Sequence, residues 1–152
     1  MPDQTPVQIA WVTRDLDATE KALTTLLGAK KWIRIAGVPF GPDTCTYRGR
    51  PADFVADISF SYAGDTQLEL IVPVTGDSIY TDFLDRVGPG LHHICIEADD
   101  LDRALAERGG DVVQRGVMAG GIELRTSRPR RQACPTSRSH TSRPRSVRSS
   151  TT

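Results

Sequence analysis

The chain has 152 residues, room for one domain or two very small ones. Nineteen basic and nineteen acidic side chains cancel to a formal net charge of zero, which argues against a wholly basic nucleic-acid binder. The balance is uneven: residues 125–152 carry eight Arg and no Lys or acid, so residues 1–124 hold eleven bases against nineteen acids.

Residues 7–13 (VQIAWVT) read as a strand rich in β-formers. Asp15 then precedes an apolar-periodic stretch, Leu16, Leu23, Leu26 and Leu27, closed by Gly28, which predicts a helix over 16–27. Residues 31–38 look like a second strand. Residues 39–51, with Gly41, Pro42, Gly49 and Pro51, read as a loop. Residues 54–61 and 67–74 are two further strands joined by the hairpin signal at 62–66. Ile79, Tyr80, Phe83, Leu84 and Val87 have helical spacing, stopped by Gly88-Pro89-Gly90. Residues 91–98 read as a strand and 101–107 as a helix ending at Gly109-Gly110. Residues 111–115 and 121–124 are short strand candidates. The order is β-α-β-β-β, then β-α-β-β.

Residues 8–17 align with 93–102: Ile9 with Ile94, and Asp15-Leu16-Asp17 with Asp100-Leu101-Asp102. A Gly-terminated helix follows each copy, which points to a structural repeat. Strand alternation gives Gln8, Glu69 and His93 a place on one face of their respective strands, opposite an apolar face suited to lie under a helix. His92 falls with Ile94 and Ile96 on the side away from His93. An amide oxygen, a carboxylate and an imidazole suit a divalent ion such as Zn, Ni, Co, Mn or Mg. The plainer alternatives are a solvated strand face for Glu69 and an ordinary exposed amide for Gln8. Cys45, Cys95 and Cys134 are odd in number and lack CxxC spacing, which fits reduced thiols in a cytoplasm. The start, MPDQTPVQ, lacks the pattern of a secretory leader. No apolar run of about 18 residues exists to span a membrane.

The segments VQIAWVTRDLDAT, TQLELIVP and GLHHICIEADDLD resemble the vicinal oxygen chelate superfamily of glyoxalases, bleomycin-resistance proteins and dioxygenases, and within it the methylmalonyl-CoA epimerase-like branch. The resemblance covers about residues 6–124. It implies an α+β fold of paired βαβββ modules forming a cup-shaped sheet, module 1 at about 6–74 and module 2 at about 91–124. It implies Gln8, Glu69 and His93 as metal ligands and places a fourth, a Glu, on the last strand of module 2. That residue is not found, because Glu123 falls on the preceding strand by element count. The epimerase-like branch also implies a carboxylate base on the third strand, for which Asp57 is the nearest match.

The departure begins after Leu124. Eight Arg, seven Ser, five Thr and three Pro in 28 residues cannot bury enough apolar surface to order themselves, so 125–152 is expected to be a disordered tail. Its abrupt onset in mid-strand has the character of an out-of-frame translation, which would leave module 2 incomplete. A natural basic arm and a plain solvated tail are the alternatives.

The leading expectation is a metal-dependent isomerase, epimerase or lyase acting through an enolate-like intermediate on a small carbonyl or thioester substrate. The chain is expected to be a cytoplasmic homodimer, with no specific nucleic-acid partner and no membrane. The rivals are a metal-free drug-binding protein with Trp11, Trp32 and Tyr47 lining a dimer cleft, and an inactive truncated paralogue.

Overall fold

The computed structural model describes residues 5–117 and 122–129. The elements are β1 (Gln8–Val12), α1 (Leu16–Leu27), β2 (Ile33–Phe40), β3 (Cys45–Tyr47), β4 (Arg50–Pro51), β5 (Phe54–Ala63), β6 (Thr66–Thr75), α2 (Ile79–Arg86), β7 (Gly90–Cys95), α3 (Leu101–Arg108), β8 (Gly110–Val117) and β9 (Glu123–Pro129). Five strands form one sheet in the order β2-β5-β6-β1-β7, and four form a second in the order β4-β3-β8-β9. The β1–β6 pair is parallel, and its neighbours β1–β7 and β5–β6 are antiparallel.

The α+β content and the first βαβββ unit match the sequence reading, with β3 and β4 inserted in the stretch read as loop. The cup does not: neither sheet is closed or curled into one. The reason lies in the pairing of the second half. β7 takes the free side of β1, but β8 pairs with β3 and β9 rather than with β7. Among the described residues no strand bridges β7 to β8, so the second module is divided between two sheets. β9 also runs past the compositional boundary at 124. Residues 130–152 of the Arg/Ser-rich stretch, with Cys134, lie outside the described residues.

Local chemistry explains the helices. Asp15 caps α1 by accepting from Ala18 N at 3.0 Å, and Asp100 caps α3 by accepting from Arg103 N at 2.9 Å. Gly28 and Gly109 end these helices in the left-handed conformation, at φ 73° and 65°. The repeat is therefore visible in local structure, with its two first strands side by side. Ser78 and Thr81 close a capping box on α2.

The core lies on the sheet face that carries Ala10, Val12, Ala56, Ile58 and Ile71, under Ile79, Tyr80 and Leu84 of α2. Phe54 stacks on Phe40 at 4.6 Å and meets Tyr80 edge-on at 5.9 Å. Burying such a ring contributes about 2–3 kcal/mol. Asp82 of α2 ties the second sheet down: it accepts from Arg128 of β9 at 3.2 Å and Arg48 at 3.4 Å, and also from Arg86. The opposite face of the first sheet carries α1, where Glu20 accepts from Ser59 Oγ and from Arg34. Helix α3 buries none of its residues, so Ile94 of β7, expected to lie under it, is exposed.

Candidate functional site

One row of residues crosses the first sheet on its core face. Phe60 of β5 lies opposite Glu69 of β6, Glu69 is level with Ala10 of β1, and Ala10 pairs with His93 of β7. Strands are about 4.8 Å apart, so the Glu69 and His93 backbones stand roughly 10 Å from each other. Their side chains close that span over the Ala10 methyl group, bringing His93 Nε2 to 3.9 Å from Glu69 Oε2. Both side chains are largely withdrawn from solvent.

Burial sets their protonation. With no cation beside it among the described residues, the Glu69 carboxyl is pushed up to about 7 by desolvation. Desolvation brings His93 down to about 4, with His92 adding to the shift, and lowers His92 to about 4 as well. The imidazoles are thus neutral near pH 7, as metal ligation requires. Burial, together with the nearby Glu69, also holds the Tyr80 phenol protonated well above its ordinary range. Burial raises the Cys95 thiol, and Glu69 raises it further.

Gln8 lies on the same face as Glu69 and His93 but one row along, level with Gln67 and Cys95. Two residues of strand separate it from Ala10, roughly 6.7 Å. Its Nε2 donates to Gln67 Oε1 at 2.9 Å, which leaves its own carbonyl oxygen as a possible donor atom. The structure therefore brings Glu69 and His93 together and sets Gln8 beside them. Among the described residues no three His, Cys, Asp or Glu side chains converge as a metal site. The donors present, a neutral imidazole, a buried carboxylate lacking a cation and a neighbouring amide, are chemically suited to a divalent ion.

Asp57 is placed elsewhere. Ala56, Ile58 and Phe60 of β5 face the core, and Asp57 points to the other side with Ser59. There its Oδ1 accepts from Gly37 N at 2.7 Å, within the irregular stretch of β2 between Ile35 and Val38. Glu123 sits on β9 in the second sheet and accepts from Arg125 Nε at 2.8 Å. Trp11 faces away from Ala10, Trp32 donates to Thr24 of α1, and Tyr47 packs against the core from β3, so the three do not line one cleft.

The sequence reading missed a group around the pair. A β-bulge between Ala10 and Trp11 pairs Trp11 with Leu91, leaving His92 without a partner on β1. The extra residue breaks the alternation that assigned His92 to the opposite side. Its ring instead lies 5.1 Å from the His93 ring, 5.2 Å from Tyr80 and 4.9 Å from Phe83. Gln114 of β8 is buried near the Tyr80 phenol and keeps an Oε1 with no partner among the described residues. The helical spacing at 79–87 marked Tyr80 as apolar core, and nothing local marked Gln114.

The layered α+β scaffold sets a carboxylate and an imidazole facing each other across the strand β1 of its first sheet. The chain belongs to the Glyoxalase/Bleomycin resistance protein/Dioxygenase superfamily, which it matches over residues 7–126. It is 40% identical over 58 residues to the uncharacterized protein YqjC of Bacillus subtilis (strain 168), covering 38% of this chain and 41% of that protein. It is 37% identical over 51 residues to mitochondrial methylmalonyl-CoA epimerase of Mus musculus, covering 33% of this chain and 29% of that one. The matched stretch thus spans less than half the length of either curated relative. Among solved structures, methylmalonyl-CoA epimerase from Mycobacterium tuberculosis superposes with a TM-score of 0.53 at 20% identity, over 85% of this chain and 84% of that one. The hypothetical protein BH1468 from Bacillus halodurans C-125 superposes with a TM-score of 0.55 at 19% identity, over 85% and 87%. These likenesses establish the fold. No helix among the described residues is long and apolar enough to cross a membrane.

Proposed function

We propose that the chain is a metal-dependent isomerase, epimerase or lyase of this superfamily acting on a small carbonyl or thioester substrate through an enolate-like intermediate. The observation that carries the reading is the buried Glu69–His93 pair at 3.9 Å. Glu69, His93 and Gln8 would hold the ion. A divalent ion supplies, when bound, polarisation of the substrate oxygen. The neutral His93 ring offers a lone pair without first losing a proton. The protonated Tyr80 hydroxyl is a hydrogen-bond donor at the edge of the site, and Tyr80 with Phe83 keeps water from the His rings. The sequence match to the mouse epimerase, which lies in a short stretch, favours an epimerase among the possible activities.

Free thiols at Cys45 and Cys95 fit a cytoplasmic setting. Exposed Leu91 and Ile94 on the terminal strand β7 give a homodimer apolar surface to cover.

Metal analysis of protein expressed with zinc or cobalt, combined with thermal melting, tests the reading. About one equivalent of ion and a higher melting temperature are expected, with both effects lost in Glu69→Gln and His93→Ala. Solvent deuterium incorporated at the α-carbon of a panel of acyl thioesters and 2-oxo acids would then identify the substrate class. No bound metal and no shift in melting would overturn the metal-dependent reading in favour of a binding protein.

A further inference from the structure

The first sheet ends at β2 and β7, and the second at β4 and β9. Three of these edges carry features that discourage strand pairing. β2 has Pro39 and an irregular stretch between Ile35 and Val38. β4 has two residues, one of them Pro51, and β9 has Arg125, Arg128 and Pro129. β7 differs. Its six residues, Gly90–Cys95, include no Pro, Lys, Arg, Asp or Glu. Among the described residues no strand lies on its outer side. Leu91 and Ile94 on it are 43% and 58% exposed.

The hydrogen bonding of β1 fixes which groups of β7 point outward. Thr13 N donates to Ile71 O of β6, and Val7 O accepts from Gln67 N of β6. Alternation then turns the backbone groups of Gln8 and Ala10 toward β7, where their partners are Cys95 and His93. Cys95 O also accepts from Val7 N at 2.9 Å. Ile94, between His93 and Cys95, therefore turns its N–H and C=O to the open edge. On its inner side Ile94 pairs with Ile9, its counterpart in the sequence repeat. Two copies of one motif thus already lie antiparallel about a local two-fold axis.

We propose that the outer edge of β7 is the dimer interface: β7 of a second copy lies antiparallel to it about a two-fold axis at Ile94, and the two Ile94 residues exchange backbone hydrogen bonds. The occupant is a second copy because the edge is uncharged, so no like charges meet across the axis, and because this motif already pairs with its own repeat. The exposed Ile94 side chains then meet at the axis and continue the row begun by Ile9. On the other face the same register sets the partner's Cys95 beside His93, about one strand spacing (~4.8 Å) away, so each copy lends a thiol to the other's proposed site. The inference specifies the homodimer proposed above and is independent of any metal. A six-residue edge is short beside the roughly 1,200–2,000 Å² of a durable interface, so the dimer should exchange with monomer at micromolar concentration.

The test is sedimentation velocity of the full chain over a concentration series, joined to cysteine cross-linking. Wild type should show a monomer–dimer equilibrium. Ile94→Lys sets like charges directly opposite each other and should weaken the dimer by about tenfold or more. Ile94 is mostly exposed, so the fold should survive the change. In a Cys95→Ser, Cys134→Ser background, Ile94→Cys should oxidise to a covalent dimer, because Cα atoms of a hydrogen-bonded antiparallel pair stand about 5.5 Å apart, within disulfide reach. Leu26→Cys, at an exposed position of α1, should not. A dimer that Ile94→Cys fails to cross-link, or that a folded Ile94→Lys leaves intact, overturns this interface and leaves the homodimer standing. A monomer at every concentration overturns both, and slow hydrogen exchange of its Ile94 amide would show the edge covered by the chain itself. Should Ile94→Lys not fold, the cross-link decides.

Discussion

Replacing Glu69 by Gln tests whether the carboxylate at the centre of the sheet is held out of water. Burial moves its proton equilibrium from the ordinary 4.5 up to about 7. Each tenfold change in proton affinity corresponds to about 1.4 kcal/mol, so the ionised carboxylate costs the metal-free fold about 3 kcal/mol above neutral pH. The sign follows from linkage. Between 4.5 and about 7 the folded chain holds this proton and the unfolded chain does not. The contribution of Glu69 to stability is therefore level in acid, falls as pH rises through that window, and stays low above it. Glu69→Gln should match wild type at about pH 4.5 and be more stable by about 3 kcal/mol at pH 8, roughly 10 °C in melting temperature for a domain of this size. Urea denaturation with a chelator present, at both pH values, measures the difference. Saturating zinc at pH 8 should stabilise wild type and not the variant. An equal stability difference at the two pH values would refute the reasoning, since it would mean that Glu69 ionises freely.

The neighbouring histidines should show the opposite slope. Both are depressed from 6.5 to about 4, so the stability they support is complete above 6.5 and is lost as pH falls toward about 4. Replacing either by Gln should flatten the acid limb of a stability–pH curve. Gly76→Ala should destabilise by more than about 3 kcal/mol in urea melts, because φ is 82° and a Cβ would lie 2.2 Å from the Asp53 carbonyl oxygen. Asp57→Ala should leave zinc affinity unchanged and cost about 1 kcal/mol of stability, because it removes the acceptor that Gly37 N uses on the face away from Glu69.

Period and capping were legible because they are local. Asp15 announced the first helix, Gly28 and Gly109 ended the first and third, and strict alternation put Glu69 on the face it occupies. The pairing of the second half was not legible, because it depends on which edge finds a partner. β8 joins β3, a strand hidden in a Gly- and Pro-rich stretch that reads as loop. His92 was assigned to the wrong side for a related reason: a bulge is an irregularity between two strands and leaves no mark on one of them alone. The face of Asp57 likewise follows only once β5 and β6 are in register.

Ala10 is fully buried between the two polar side chains of the central row. Its methyl group acts as a spacer, and the clearance above it sets how wide an object the carboxylate and the imidazole can grip together. A Val or Leu at this position would wedge the two apart and fill the gap with hydrocarbon, removing the proposed site while keeping every polar group that builds it. The smallest side chain of the row thus governs the aperture.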